Sequence, residues 1–185
     1  MTFGRLFILA VLVAGIAFPE EHPYRTKYKR DTFGRGAAAR VGVGAAVGTA
    51  RNSPHQWGRG AGGLGKRMAS GFGTNVVKNT IEFGVAGARH EQMGYQRSGK
   101  KGFGPRLGYA LTSTVITHKT TTGKRTPAVG RMSGAFGSGL ISRVWQPAGM
   151  RTVGGGLATG GVMLGVDAGT HVAREFWPER KRGSK

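Results

Sequence analysis

Asp167, His171 and Glu175 stand four residues apart near the end of the chain. A four-residue step returns to nearly the same side of a helix, so the two carboxylates and the imidazole would project from one face. That set of groups could orient a general base or supply ligands to a metal ion. One helix face rarely completes such a site, and the sequence contains no HExxH pairing. The competing expectation is an interhelical polar network in which Arg40, Arg131 or Arg143 provides the counter-charge. His90-Glu91 offers a second ligand pair, or a helix end where an imidazole meets the last carbonyls. His55 and His118 fall in segments that read as loops. Five histidines without ligand spacing, and no cysteine, predict neither a metal site nor a cofactor.

Glycine beside basic residues also suggests phosphate binding. The run from Gly58-Arg59-Gly60 to Gly65-Lys66 lacks the Ser or Thr that a Walker loop requires after its lysine, because Arg67 follows. Gly154-Gly155-Gly156 has no strand before it, so a dinucleotide fold is not indicated. Glycine here reads as packing and turn chemistry.

Helices must position these groups. Asp31-Thr32 precedes an Ala-rich segment that reads as a helix to residue 50, where Asn52-Ser53-Pro54 breaks it. Within it Gly34, Ala38, Gly42, Ala46 and Ala50 recur every fourth residue, a stripe that would let a second helix approach closely. Residues 57–66 read as a loop or a weak helix, 67–89 as a helix, and 94–105 as a basic connection. Residues 106–116 suit a short helix, while 112–122 are β-branched enough for a hairpin around Thr122-Gly123. After Pro127, Gly130, Gly134 and Ser138 form another stripe, beside a line through Ala135, Gly139 and Arg143. Thr152 then opens the longest candidate helix, running to about residue 176, with Gly161, Gly165, Gly169 and Ala173 at the same spacing. Its seven glycines between 154 and 169 carry an intrinsic penalty of roughly 6–7 kcal/mol relative to alanine, so tight packing or a bilayer must sustain it. The sequence therefore predicts a mainly α fold, a small Gly/Ala-striped bundle of about five helices. Gly42, Ala46, Gly134, Gly161, Gly165 and Gly169 are its expected helix-packing positions, and peripheral, oligomeric and partly inserted arrangements all stay open.

Composition agrees with a core of small residues. Glycine takes 35 of 185 positions, and Leu, Ile, Val and Phe are too few outside the first 17 residues for a conventional large core. Arg5 followed by the uncharged run 6–18, with Gly15 and Ala17 at its end, reads as an export signal cleaved after Ala17 or as an uncleaved anchor. The expected organisation is a signal at 1–17, a flexible basic arm at 18–31, one Gly-rich helical domain at 32–178 and a basic tail at 179–185. A formal charge of +20 points to an anionic partner, either an envelope lipid or polymer or a nucleic acid. Nucleic acid is the weaker of these, since the basic residues are scattered and carry no recognition motif.

Several blocks resemble a group of uncharacterised exported bacterial proteins. They are Val76-Val77-Lys78-Asn79-Thr80-Ile81-Glu82-Phe83-Gly84, His90-Glu91, the run from Tyr95 to Ser98, Phe103-Gly104-Pro105-Arg106, Gly165-Val166-Asp167-Ala168-Gly169 and Arg174-Glu175-Phe176-Trp177-Pro178. The resemblance spans roughly residues 57–179. It implies export and a helical fold, and it transfers no catalytic residue. The leading expectation is a non-enzymatic, exported protein of the bacterial cell envelope, periplasmic or membrane-associated. It would hold an anionic surface through basic loops, and its small-residue helices would also allow a homo-oligomer. The alternative is a periplasmic enzyme or metal binder using Asp167, His171 and Glu175, and the third is a basic nucleic-acid-binding protein.

Overall fold

The structure is a computed structural model and describes residues 23–178. Residues 1–17, which the sequence reads as an export signal, the start of the expected basic arm and the tail 179–185 lie outside the described residues. Six α-helices and one small hairpin follow in order: α1 (Pro23–Phe33), α2 (Arg35–Ala50), α3 (Ala61–Ala88), α4 (Phe103–Thr112), β1 (Ile116–His118), β2 (Arg125–Pro127), α5 (Val129–Ile141) and α6 (Val153–Phe176). Helix α3 is the axis, with α1 and α2 packed on one side and α5 on the other. Helix α5 lies between α3 and α6, and α4 packs against α6. The strands pair antiparallel with Thr117 opposite Thr126, and Gly123 turns the chain at φ 66°.

Local chemistry explains the elements that the sequence marks most clearly. Thr152 caps α6, its hydroxyl accepting the Gly155 N–H at 3.0 Å. Pro23–Phe33 is a helix, in place of the flexible arm that its composition predicts. Its Tyr28 is 5% exposed, sets its ring 5.6 Å from Phe83 and meets the Thr80 hydroxyl at 3.0 Å. One well-placed aromatic thus anchors a segment whose composition reads as solvated. Gly34 separates α1 from α2, since a Cβ there would stand 2.2 Å from the Arg30 carbonyl oxygen.

The core is built from alanine, glycine and satisfied polar groups. Six of the nine buried apolar side chains among the described residues are alanines, while thirteen polar or charged residues are buried. Small residues on α5 permit close approach on two sides. A Cβ on Gly134 would come within 2.8 Å of the Lys78 carbonyl oxygen and of the Glu82 Cβ, and one on Gly130 within 2.7 Å of the Ala86 Cβ. On the opposite side, a Cβ on Gly139 would stand 2.3 Å from the Gly156 carbonyl oxygen. Gly134 is therefore the close-approach position its stripe predicted.

The other expected packing positions require correction. Gly42, Gly161, Gly165 and Gly169 would each accept a Cβ with no atom within 4 Å, and Ala46 is exposed. The buried line on α2 runs through Ala37 and Ala45, and that on α6 through Gly156 and Gly160. Each lies close to the predicted stripe but turned around the helix. The physical reason is that α6 carries glycines on more than one line, and the buried one also brings His171 and Glu175 inside. Among the described residues no helix is long and apolar enough to cross a membrane.

Candidate functional site

The three residues singled out on α6 do share a face, and the fold sends each to different partners. Asp167 Oδ2 lies 3.0 Å from Lys78 Nζ, which also donates to Glu82 Oε2 at 2.9 Å. Burial alone would lower the Lys78 pKa, but the two carboxylates outweigh it and hold the ammonium above its ordinary value. Arg131 closes this group, its Nε 3.8 Å from Glu82 Oε1 and its Nη1 donating to the Ser113 and Thr114 carbonyls at 2.5 and 3.0 Å.

One turn further along α6, His171 Nδ1 meets the Ser113 hydroxyl at 3.0 Å, and the ring stacks on Tyr95 with centroids 4.7 Å apart. Burial, helped by the charges of Arg131 and Arg174, pushes its pKa down to about 4. Above its unfolded value of 6.5 the imidazole is neutral in both states and contributes no pH dependence. As pH falls below 6.5 the unfolded chain takes up a proton that the folded chain refuses, until about pH 4. Between pH 7 and pH 4 this residue should therefore remove about 3 kcal/mol of stability. Urea unfolding across that interval checks it: His171→Gln should lose this part of the slope, and identical slopes in the two proteins would refute the assignment.

Glu175 is 1% exposed and the centre of a clamp. Tyr95 Oη donates to Oε2 at 2.5 Å, Ser98 Oγ to Oε1 at 2.6 Å and Arg106 Nε to Oε1 at 3.0 Å. Arg106 also donates to the Glu175 carbonyl and lies over the Phe176 ring. Burial would raise the carboxyl pKa, but the hydrogen bonds from Ser98, Tyr95 and Arg106 pull it down to about 2. Burial, together with the same carboxylate, drives the Tyr95 phenol up. The clamp ties the C-terminal end of α6 to the loop entering α4.

His90-Glu91 is not a ligand pair. His90 is exposed with φ 52°, whereas Glu91 is buried, its Oε2 accepting the Gly130 N–H at 2.9 Å and its Oε1 pairing with Arg89 at 2.7 Å. A carboxylate thus neutralises the positive end of α5. No cluster of three or more His, Cys, Asp or Glu residues with the geometry to hold a metal ion exists among the described residues. The polar-network expectation describes α6 better, with Lys78 and Arg106 as the principal partners. Arg143 instead binds the Thr159 hydroxyl at 2.8 Å, and Arg40 the Asp31 carbonyl at 3.3 Å.

Sequence reasoning missed Lys78, Glu82, Tyr95, Ser98 and Arg106 as members of this network. The four-residue spacing of Lys78 and Glu82 on a helix was a usable signal. The contacts to Glu175 join residues 69 to 80 positions away, and spacing carries no trace of them.

Alongside this network a cleft of about 610 Å³ opens between α2 and α6, with α3 as its floor. Ser70, Thr74, Asn75, Lys78, Asn79 and Glu82 line the floor. Val41, Gly44 and Ala45 form one wall, and Val162, Met163 and Val166 the other. Seven Lys or Arg side chains border the cleft against three carboxylates, so its electrostatic balance favours an anion.

No protein-family model matches the sequence, and no significantly similar curated protein or solved structure is found. The functional reading therefore rests on geometry and charge.

Proposed function

We propose that the protein is an exported interaction component of the bacterial envelope, held peripherally to an anionic envelope lipid or polymer by its basic loops. The observation that carries this is the charge distribution: from residue 92 to residue 166 the chain contains no Asp or Glu and ten Lys or Arg. Lys100 and Lys101 in the loop before α4, and Lys119, Lys124 and Arg125 in the hairpin, are all exposed. Basic side chains at an anionic surface contribute about 1 kcal/mol each and are screened by salt. The network of Asp167, His171 and Glu175 serves in this reading to fix α6, α4 and the intervening loops, so that the basic segments keep one arrangement.

Fractionation of the tagged full-length protein, with N-terminal sequencing, tests export and attachment together. The expected result is a chain beginning at Phe18 in the membrane fraction, released by a high-salt wash. An intact Met1 on a cytosolic protein would overturn the reading. In solution the protein should sediment with phosphatidylglycerol vesicles and remain free of phosphatidylcholine vesicles. Lys100→Glu, Lys101→Glu, Lys119→Glu and Lys124→Glu combined should weaken that binding about a thousandfold, since four charges at about 1 kcal/mol each contribute about 4 kcal/mol.

A further inference from the structure

We propose that the cleft between α2 and α6 binds an extended acidic peptide segment of a partner protein. This goes beyond attachment to an anionic surface and does not depend on export. The cleft has the length of an extended chain. The floor runs along α3 from Arg67 to Phe83, about 24 Å at the helical rise, which matches roughly seven residues of extended chain. The volume lies in the range of ordinary ligand sites. The α2 wall is low, because Gly44 and Ala45 border the space and a Cβ on Gly44 would meet nothing within 4 Å.

Its charges are placed for a ligand with acidic side chains. Lys78 is compensated on the floor by Glu82 and Asp167, and Lys27 by Asp31. The positive charge open to a ligand therefore sits with Arg40 on α2 and Arg174 on α6, both exposed, while Arg67 and Arg143 spend most of their donors on Ser53, Pro54 and Gly58 and on Gly139, Met150 and Thr159. Arg40 makes one hydrogen bond, to a carbonyl, and keeps most of its donors for a ligand. Side chains of an extended peptide alternate in direction, so its carboxylates would reach arginines on both walls.

The carboxylates of the cleft favour a peptide over other anions. Asp31, Glu82 and Asp167 face the same space. A phosphodiester strand would bring a charge over them at every repeat, and an acyl chain would desolvate the ionic floor. A peptide lays its neutral backbone there. Side-chain amides suit that backbone, since Asn75 spends one amide hydrogen on the Thr32 carbonyl and Gln146 one on the Ser70 hydroxyl, leaving capacity on both. Recognition of acidic segments by arginine clusters follows the same logic.

The test uses the full chain and a fluorescently labelled eight-residue oligoglutamate, with an eight-nucleotide oligothymidylate as the competing polyanion. Gly44→Phe fills the cleft without changing charge, and Gly62→Phe, on an exposed part of α3 away from the cleft, is its control. Oligoglutamate affinity is expected to fall about tenfold or more in Gly44→Phe and to stay within about twofold in Gly62→Phe. Arg174→Ala should weaken it several-fold more than Lys101→Ala, which removes the same charge outside the cleft. Equal binding by Gly44→Phe and the unmodified protein would overturn the proposal. So would a cleft-dependent preference for the oligothymidylate. Vesicle binding that survives either result would leave the envelope reading standing while the cleft assignment falls.

Discussion

Alanine in place of Gly139 is expected to destabilise the protein by about 3 kcal/mol, whereas alanine in place of Gly165 should stabilise it by about 0.5–1 kcal/mol. The two positions lie in neighbouring, glycine-rich helices and look alike in sequence. At Gly139 the new methyl would stand 2.3 Å from the Gly156 carbonyl oxygen and 2.9 Å from the Gly160 nitrogen. Both obstacles are backbone, so α5 and α6 must move apart and give up the rest of their contact. At Gly165 nothing lies within 4 Å, and alanine only restricts the unfolded chain and improves helix propensity. Urea unfolding of the two variants decides it. Shifts of the same sign would mean that the α5–α6 crossing is not as close as described.

Glu175→Ala should cost about 3–5 kcal/mol, the usual consequence of removing one member of a buried, hydrogen-bonded ion pair. Its loss strips Arg106 of its carboxylate partner and leaves the Tyr95 and Ser98 hydroxyls without their acceptor. A double-mutant cycle isolates the interaction: Arg106→Ala should cost much less in the Glu175→Ala background than in the unmodified protein. Full additivity would show that the clamp does not exist as an energetic unit. The pH response has the opposite origin to that of His171. Glu175 has its pKa lowered from 4.5 to about 2, so its contribution is complete above about pH 4.5 and is lost as pH falls toward 2.

These predictions divide along what could be read from residue order. The Thr152 cap, the length of α6 and the break at Asn52-Ser53-Pro54 were legible, because each depends on interactions within a few residues, whereas residues 112–122 read as either helix or hairpin and the pairing of β1 with β2 is decided only in the fold. The small residues of α5 were legible too, since both of its lines are used: Gly130 and Gly134 against α3, Gly139 against α6. Helix α1 was hidden because its docking depends on Tyr28 finding Phe83, 55 residues away.

The candidate site shows the same division more sharply. Asp167, His171 and Glu175 were recognisable as one face, and the fold buries or half-buries all three. Their roles were not recognisable, because Lys78, Ser113, Tyr95, Ser98 and Arg106 arrive from other elements.

By itself the sequence determined a helical chain of small residues with a large positive charge, since periodicity, capping and composition act locally. Which glycine line is buried and which is left open was decided only in three dimensions. A helix with glycine on adjacent lines offers several faces of nearly equal close approach, and the partner helix selects among them. The selected face of α6 is the one that also satisfies Asp167, His171 and Glu175, because a buried charge without a partner would cost more than any single glycine contact returns.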